Sequence, residues 1–242
     1  MIKRLHVDWP AKARPLARAV RLLAVSDERD QALDNERNRA QLLPLDAILG
    51  AGDAEPDHLV FLADAFKVPL LYVRGNHDRG GGWDAGRSLL PEPLDGQRAD
   101  VGGISIAGMS WPGPTGGQAV HDDSAAWGQA VGLYVKWKQR RTAPAIIVSH
   151  VPPLSLGDAP EDYYHRGFAG YRWLCRALRP VLWIHGHTPV ASTSDWKLMS
   201  GPTTLLNATG AVLVEIGPAT EARQEAAVDE GDPVAAGSER AG

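Results

Sequence analysis

The sequence lacks the features on which several classes of protein depend. Only one of its 242 residues is a cysteine, Cys175, so no internal disulfide can form, as is typical of a reducing compartment. No stretch reaches 18 uninterrupted apolar residues, and the basic N-terminus has no apolar segment like that of a secretory signal. We therefore expect a soluble cytoplasmic protein that does not interact with membranes.

An excess of basic residues is also absent. The formal net charge is −4. Residues 219–242 hold six acids and two bases, which gives −4, so residues 1–218 are formally neutral. A neutral body without a basic stripe makes nucleic-acid binding an unfavoured interpretation.

Composition and patterning divide the chain into three parts. Residues 219–242 are acidic and have few large apolar side chains, so we expect a disordered tail. Residues 21–218 form the expected domain, and residues 1–20 precede it as an N-terminal extension.

Apolar runs of strand length alternate with segments of helical spacing, which favours an α/β fold. The predicted strands are Arg21–Ser26, Ala47–Ala51, Leu70–Val73, Ile104–Met109, Ala145–Ser149, Val181–Ile184, Thr204–Asn207 and Ala211–Ile216. The predicted helices are Asn35–Leu43, Asp57–Phe66, Ser124–Arg141 and Tyr171–Leu178. The last two strands, joined by a short turn, are expected to form a closing hairpin.

Polar side chains follow five of the predicted strands. They are Asp27, Asp53, the Asn76–His77–Asp78 run, His150, and the pair His185 and His187. In open α/β sheets, sites form at the carboxyl ends of the strands. Five such ends with oxygen and imidazole donors and no thiolate suit Mn²⁺, Fe or Zn²⁺.

The ordered motifs GD, GNHD, SH and GHT resemble those of the calcineurin-like metallophosphoesterase family over roughly Arg21 to Ile216. The pattern of that family is D-x-H, G-D-x-x-D, G-N-H-D/E, H and G-H-x-H, in that order. The resemblance implies a four-layer α/β/β/α sandwich of two mixed sheets flanked by helices.

The resemblance also implies a metal centre. Asp53 is similar to the carboxylate that bridges two metals, and Asp27 to the carboxylate of the first metal. Asn76, His150 and His187 are similar to the remaining ligands of the second metal. We expect Mn²⁺, with Fe or Zn²⁺ as the other candidates, and one or two ions per chain.

The implied reaction is in-line attack on phosphorus by a hydroxide that the metals activate. His77 is similar to the family's histidine that protonates the leaving oxygen or holds the phosphate. Asp78 is similar to the carboxylate that orients that histidine.

Two departures from the family pattern fall on the first metal. Arg29 stands where the family has histidine, and Pro189 stands where it often has another. Arg29 could bind a phosphate oxygen in place of a metal. Alternatively Asp30, Glu28 or His165 could supply the missing ligand of the first metal. His165 is also a candidate substrate-binding residue. The third alternative is an empty first site in a protein that has become a binding scaffold.

Two functions follow from these observations. The first is a metal-dependent phosphoesterase for a small substrate, a phosphodiester rather than a monoester because a diester carries less charge for a depleted site to compensate. The second is a non-catalytic scaffold or single-metal module for a protein partner. Trp83 could stack on a base or aryl group, although eight tryptophans weaken this argument. The natural substrate and the oligomeric state do not follow from the sequence.

Overall fold

Two β-sheets lie face to face, and helices cover their outer sides. This architecture comes from a computed structural model that describes residues 2–79, 81–113, 121–140, 143–190 and 196–217. The tail predicted over residues 219–242 lies outside the described residues.

The first sheet has five strands in the order β1-β11-β2-β3-β4. Their bounds are Lys3–Asp8 for β1, Val20–Ser26 for β2, Ala47–Ala51 for β3, Leu70–Val73 for β4 and Gly210–Gly217 for β11. The β1/β11, β2/β3 and β3/β4 pairs are parallel, whereas β11 runs antiparallel to β2. Three parallel neighbours therefore place the carboxyl ends of β2, β3 and β4 at one edge.

The second sheet has six strands in the order β5-β6-β7-β8-β10-β9. Their bounds are Arg98–Val101 for β5, Ile104–Met109 for β6, Ile146–Ser149 for β7, Leu182–His185 for β8, Lys197–Ser200 for β9 and Thr203–Asn207 for β10. The four inner strands are parallel, and β5 and β9 are antiparallel edges.

Five α-helices connect the described strands. They are α1 (Glu36–Ala40), α2 (Pro56–Phe66), α3 (Gly81–Gly86), α4 (Asp123–Gln139) and α5 (Ala169–Leu178), with short 3₁₀ helices at Gln31–Asp34 and Arg87–Leu89. Among the described helices, none has the length and apolar character needed to cross a membrane.

Strand alternation builds three hydrophobic layers from the two sheets. In β2, Leu22 and Ala24 pack between the sheets, while Leu23 packs toward the helices of the first sheet. Ile147 of β7 and Trp183 of β8 pack under α4 and α5 on the other side. The predicted four-layer α/β/β/α sandwich of two mixed sheets is therefore confirmed.

The predicted closing hairpin is wrong. Strand β10 pairs with β8 and β9 in the second sheet, whereas β11 pairs with β1 and β2 in the first. The turn over residues 208 and 209 therefore carries the chain from one sheet to the other. Residues 3–8, within the predicted N-terminal extension, form β1 at the edge of the first sheet.

Helix α4 contains two exposed glycines whose replacement is expected to stabilise the fold. A Cβ atom at Gly128 or Gly132 would meet no atom within 4 Å. Alanine loses less backbone entropy in a helix, so Gly128→Ala and Gly132→Ala should each raise the free energy of unfolding by about 0.5–1 kcal/mol. Urea denaturation measures this. Gly108→Ala should do the opposite, because its Cβ would lie 2.7 Å from the Leu94 carbonyl oxygen.

Candidate metal centre

The carboxyl ends of strands from both sheets meet at one site. Asp27, Asp53 and Asn76 follow β2, β3 and β4 of the first sheet, and His150 follows β7 of the second. The His150 ring joins the two sheets, since its Nδ1 donates to the Ala51 carbonyl of β3 at 2.9 Å. The strand-end side chains predicted from the sequence are thus brought together.

Three of these side chains could hold a metal ion. Asp27, Asp53 and His150 each offer one ligand atom, and these atoms all lie within 4.8 Å of one another. His150 Nε2 lies 3.1 Å from Asp53 Oδ2 and 2.9 Å from Asn76 Oδ1. The donor set of carboxylate, amide and imidazole suits a divalent transition metal.

The orientation of His150 fits a metal ligand. A carbonyl oxygen only accepts, so the bond to Ala51 places a proton on Nδ1 and turns Nε2 toward Asp53 and Asn76. Metal-ligating histidines commonly donate their other N–H to such a carbonyl. Burial alone would lower the pKa of His150, but the Asp53 carboxylate raises it to about 9. The negative charge of Asp53 thus favours a positive charge beside it, at the position of the His150 ring.

His187 is held in the same way by a different loop. Its Nε2 donates to the Tyr164 carbonyl at 2.7 Å, which leaves Nδ1 without the proton. Burial and the charge of His150 lower the pKa of His187 to about 3, so its ring is neutral near pH 7. Its ring centroid lies 4.9 Å from that of His150, but the group of ligand atoms within 4.8 Å of one another comprises Asp27, Asp53 and His150 without His187.

Asp53 is fixed by backbone amides and by a second carboxylate. Its Oδ1 accepts from the His77 amide at 2.7 Å, and its own amide donates to Asp78 Oδ2 at 2.9 Å. The Gly75 amide donates to the same Asp78 oxygen at 2.7 Å. Burial would raise the pKa of Asp53, but the charge and hydrogen bond of His150 lower it. Burial and the Asp53 charge raise the pKa of Asp78 to about 6.

The Asp27 carboxylate accepts hydrogen bonds from other groups of the protein. The His187 amide donates to both carboxylate oxygens, at 3.2 and 3.1 Å, and the Ser26 hydroxyl donates to Oδ2. The Thr209 hydroxyl adds a longer contact of 3.4 Å. Ser26 and Thr209 carry no motif, so only the fold reveals their part in the site.

Arg29 is turned toward a different partner. Its guanidinium donates to Asp34 Oδ1 through Nε at 3.2 Å and Nη2 at 2.6 Å, and both side chains are largely exposed. Asp30 caps the 3₁₀ helix by accepting from the Ala32 amide. Arg29 and Asp30 are therefore engaged in local structure.

A cavity of about 240 Å³ opens onto the donor cluster. Asp27, Asp53, Asn76, His77 and His187 line it together with Glu28, Tyr164, His165, Thr188, Pro189 and Thr209. The described residues that line this cavity include no lysine or arginine. This cavity is thus bounded by carboxylates, histidines and hydroxyls.

Two further predicted site residues lie on different loops. His165 lies in the loop after β7, and its Nδ1 is hydrogen-bonded to Asp162 Oδ2. Its ring centroid is 5.3 Å from that of His187, so the loop brings His165 to the cavity. The hydrogen bonds of Asp78 go to backbone amides of Asp53 and Gly75, which hold the loop that carries His77.

Glycines permit the close approach of these loops. A Cβ at Gly75 would overlap the Asp53 carboxylate, and a Cβ at Gly186 would overlap the Ser26 hydroxyl and the Asp27 carboxylate. Asp27, Asp53 and His187 adopt left-handed backbone conformations, with φ of 57°, 53° and 67°. The strand ends thus turn sharply to aim their donors at one point.

Gly75→Ala should disturb the centre because the added methyl group competes with Asp53 for space. We expect a loss of about 1–3 kcal/mol in the free energy of unfolding. We also expect a smaller rise in melting temperature on adding Mn²⁺, measured by calorimetry. Gly128→Ala is the control, and an unchanged Mn²⁺ response in Gly75→Ala would contradict this account of the packing.

Comparison with known proteins gives similar folds and one matching family model. The chain is similar to TT1561 of Thermus thermophilus, with 15% identity, a TM-score of 0.53, and 79% of this chain and 90% of that chain covered. It is also similar to a predicted phosphoesterase of Streptococcus pneumoniae TIGR4, described as a conserved uncharacterized protein. There the identity is 14%, the TM-score is 0.37, and the coverage is 79% and 73%.

A third similar structure is GAP50, the anchor in the inner membrane complex of Plasmodium, with 15% identity, a TM-score of 0.48, and coverage of 79% and 72%. At 15% identity, the likeness to TT1561 shows the fold alone. The chain matches no curated protein sequence. The family model of calcineurin-like phosphoesterases matches residues 20–191, which span the strand ends from Asp27 to Pro189. The chain therefore belongs to the calcineurin-like phosphoesterase family.

Proposed function

We propose that the protein hydrolyses a phosphodiester of a small substrate with the help of a divalent metal ion. The observation that carries this proposal is the cluster of Asp27, Asp53 and His150 ligand atoms, of which Asp27 and Asp53 line the cavity of about 240 Å³. Family membership supports a phosphoester hydrolase, and the donor chemistry supports Mn²⁺, with Fe or Zn²⁺ as the other candidates.

Asp53 and His150 would hold the ion together with Asn76, His187 and Asp27. The donors fit this task because His150 and His187 each give their other ring N–H to a carbonyl. When bound, the ion would supply a Lewis acid that lowers the pKa of water and offsets charge at phosphorus.

We expect one ion per chain rather than two. The family's first metal position keeps only Asp27 and the shared Asp53, and the ligand atoms of these two residues lie within 4.8 Å of that of His150, so that one ion would use all three. Catalytic zinc sites, by comparison, usually have three protein ligands. Arg29, a candidate for binding the phosphate, would reach it only by leaving Asp34.

His77 is the proposed proton donor to the leaving oxygen. Its ring is exposed at the cavity wall, while its amide is anchored on Asp53. A proton donor must move between substrate and solvent, which an exposed imidazole permits. His165, held by Asp162 on the far loop, is the proposed contact for a phosphate oxygen.

The charges around the cavity favour a phosphodiester over a monoester. Asp27, Glu28 and Asp53 line the cavity, and its described lining contains no lysine or arginine. A monoester dianion would meet more repulsion there than a diester monoanion. The comparison of aryl phosphate mono- and diesters tests this preference, and faster turnover of the monoester would contradict it.

His77→Ala should lower the turnover of an aryl phosphodiester by about 10²–10⁴-fold, because it removes the proposed proton donor. Its Mn²⁺ content should stay unchanged, since His77 contributes an amide and not its ring to the centre. Asp53→Asn is the matched variant that should lose both metal and turnover. Full activity of His77→Ala would remove His77 from the mechanism, whereas absence of turnover in the Mn²⁺-loaded wild-type protein would favour the scaffold interpretation.

Elemental analysis after equilibration with Mn²⁺ should give one ion per wild-type chain. The double variant Arg29→His with Pro189→His restores the two family histidines and should raise the content toward two ions. Two ions in the wild-type protein would show that another residue supplies the missing ligands.

A further inference from the structure

A second and larger cavity adjoins the candidate metal centre. Its volume is about 770 Å³, within the range of pockets that hold small organic ligands. Asp53 and His77 line both this cavity and the smaller one at the metal centre, so the two spaces meet at these residues. A molecule with its phosphate at the metal centre could therefore extend into the larger cavity.

The wall of this cavity is formed by the segment that follows the GNHD motif. Trp83 of α3 and Leu89 of the second 3₁₀ helix supply apolar surface, and Leu89 is 60% exposed. The segment is packed firmly against α2, because a Cβ at Gly86 would lie 2.8 Å from the Pro56 Cβ. An exposed leucine and the accessible part of a largely buried tryptophan in one lining suit an apolar, planar group.

Two donors on this wall have no partner among the described residues. They are the Trp83 indole Nε1 and the Arg79 guanidinium Nη1, both buried atoms of residues that line the cavity. Buried donors are nearly always hydrogen-bonded in folded proteins. A ligand group with hydrogen-bond acceptors would supply the missing partners.

The charges of the cavity exclude one class of ligand. Glu55 and Asp57 line it with Asp53 and Asp78, and Arg79 is the one lysine or arginine among the described residues of this lining. Beyond the phosphate at the metal centre, a second phosphate would meet net negative charge and be repelled. The cavity suits an uncharged organic group.

We propose that the larger cavity binds the organic group of the substrate, and that this group is aromatic or heteroaromatic, carries acceptors, and has no further phosphate. This inference rests on the proposed function, since it places the ester phosphorus at the metal centre beside His77. A nucleoside is one group with these properties and of suitable size.

Isothermal titration calorimetry of the Mn²⁺-loaded protein tests the inference with product-like monoesters. Phenyl phosphate and a nucleoside 5′-monophosphate should each bind about tenfold more tightly than methyl phosphate, because their rings bury apolar surface. The nucleoside 5′-diphosphate should bind no more tightly than the monophosphate.

Two variants separate the contributions of Leu89 and Trp83 to ligand affinity. Leu89→Ala should lower the affinity for phenyl phosphate by about threefold, and Leu43→Ala, at another exposed leucine, should not change it. Trp83→Phe keeps an aromatic ring but removes the indole N–H. It should therefore lower the affinity for the nucleoside monophosphate more than the affinity for phenyl phosphate.

Equal affinity for methyl and phenyl phosphate, or tighter binding of the diphosphate, would overturn the inference. A parallel hydrolysis assay with an aryl phosphodiester distinguishes this failure from failure of the proposed function. Hydrolysis without the ring preference overturns only the inference about the cavity. The ring preference without hydrolysis overturns only the proposed hydrolase and leaves a binding pocket.

Discussion

The hydrogen bonds of one buried carboxylate determine where the candidate centre lies. Asp78 Oδ2 accepts from the amides of Asp53 and Gly75 and so ties the loop after β3 to the loop after β4. Asp53 in turn accepts from the amide of His77. Since Asp53 also contacts His150 of the second sheet, this chain of contacts links the edges of the two sheets. Removing it would leave the donors on separate loops.

In the same arrangement, acidic side chains lie at the metal cluster and the nearby arginine does not. Two of the three side chains of the metal cluster, Asp27 and Asp53, are acidic, and the arginine of the D-x-R motif is paired elsewhere. A bound ion is therefore the main source of positive charge for a phosphate in the small cavity. Under the proposed function, the chemistry would depend on one ion and on histidines, rather than on a cluster of cations.

Much of the fold could be predicted because its inner strands are apolar and begin and end at clear signals. Ala47–Ala51, Leu70–Val73 and Ile104–Met109 have the predicted bounds, since these buried strands are followed by glycine or polar residues. The edge strands β1, β5 and β9 were not predicted, because half-exposed strands such as Arg98–Val101 carry few apolar residues. The sheet to which β11 belongs depends on long-range pairing, which a local turn does not encode.

The candidate site, too, could be predicted from the sequence only in part. The donors at Asp53 and Asn76 follow from motif order, because motifs at the strand ends of one parallel sheet are brought together. His150 follows from the resemblance to the family, since it comes from the second sheet. The orientation of Arg29 toward Asp34 does not follow, since a long flexible side chain can take several partners. The same holds for the Tyr164 carbonyl that fixes His187, because a backbone acceptor has no sequence signature.

The left-handed turns at Asp27, Asp53 and His187 have a consequence for the evolution and engineering of this chain. Non-glycine residues in that conformation typically cost about 1–3 kcal/mol each, although aspartate tolerates it better than most residues. Glycine at these positions would relieve the backbone and remove the donors at once. Selection for thermal stability alone would therefore erode the centre first, whereas the helices and inner strands could be stabilised without loss of chemistry.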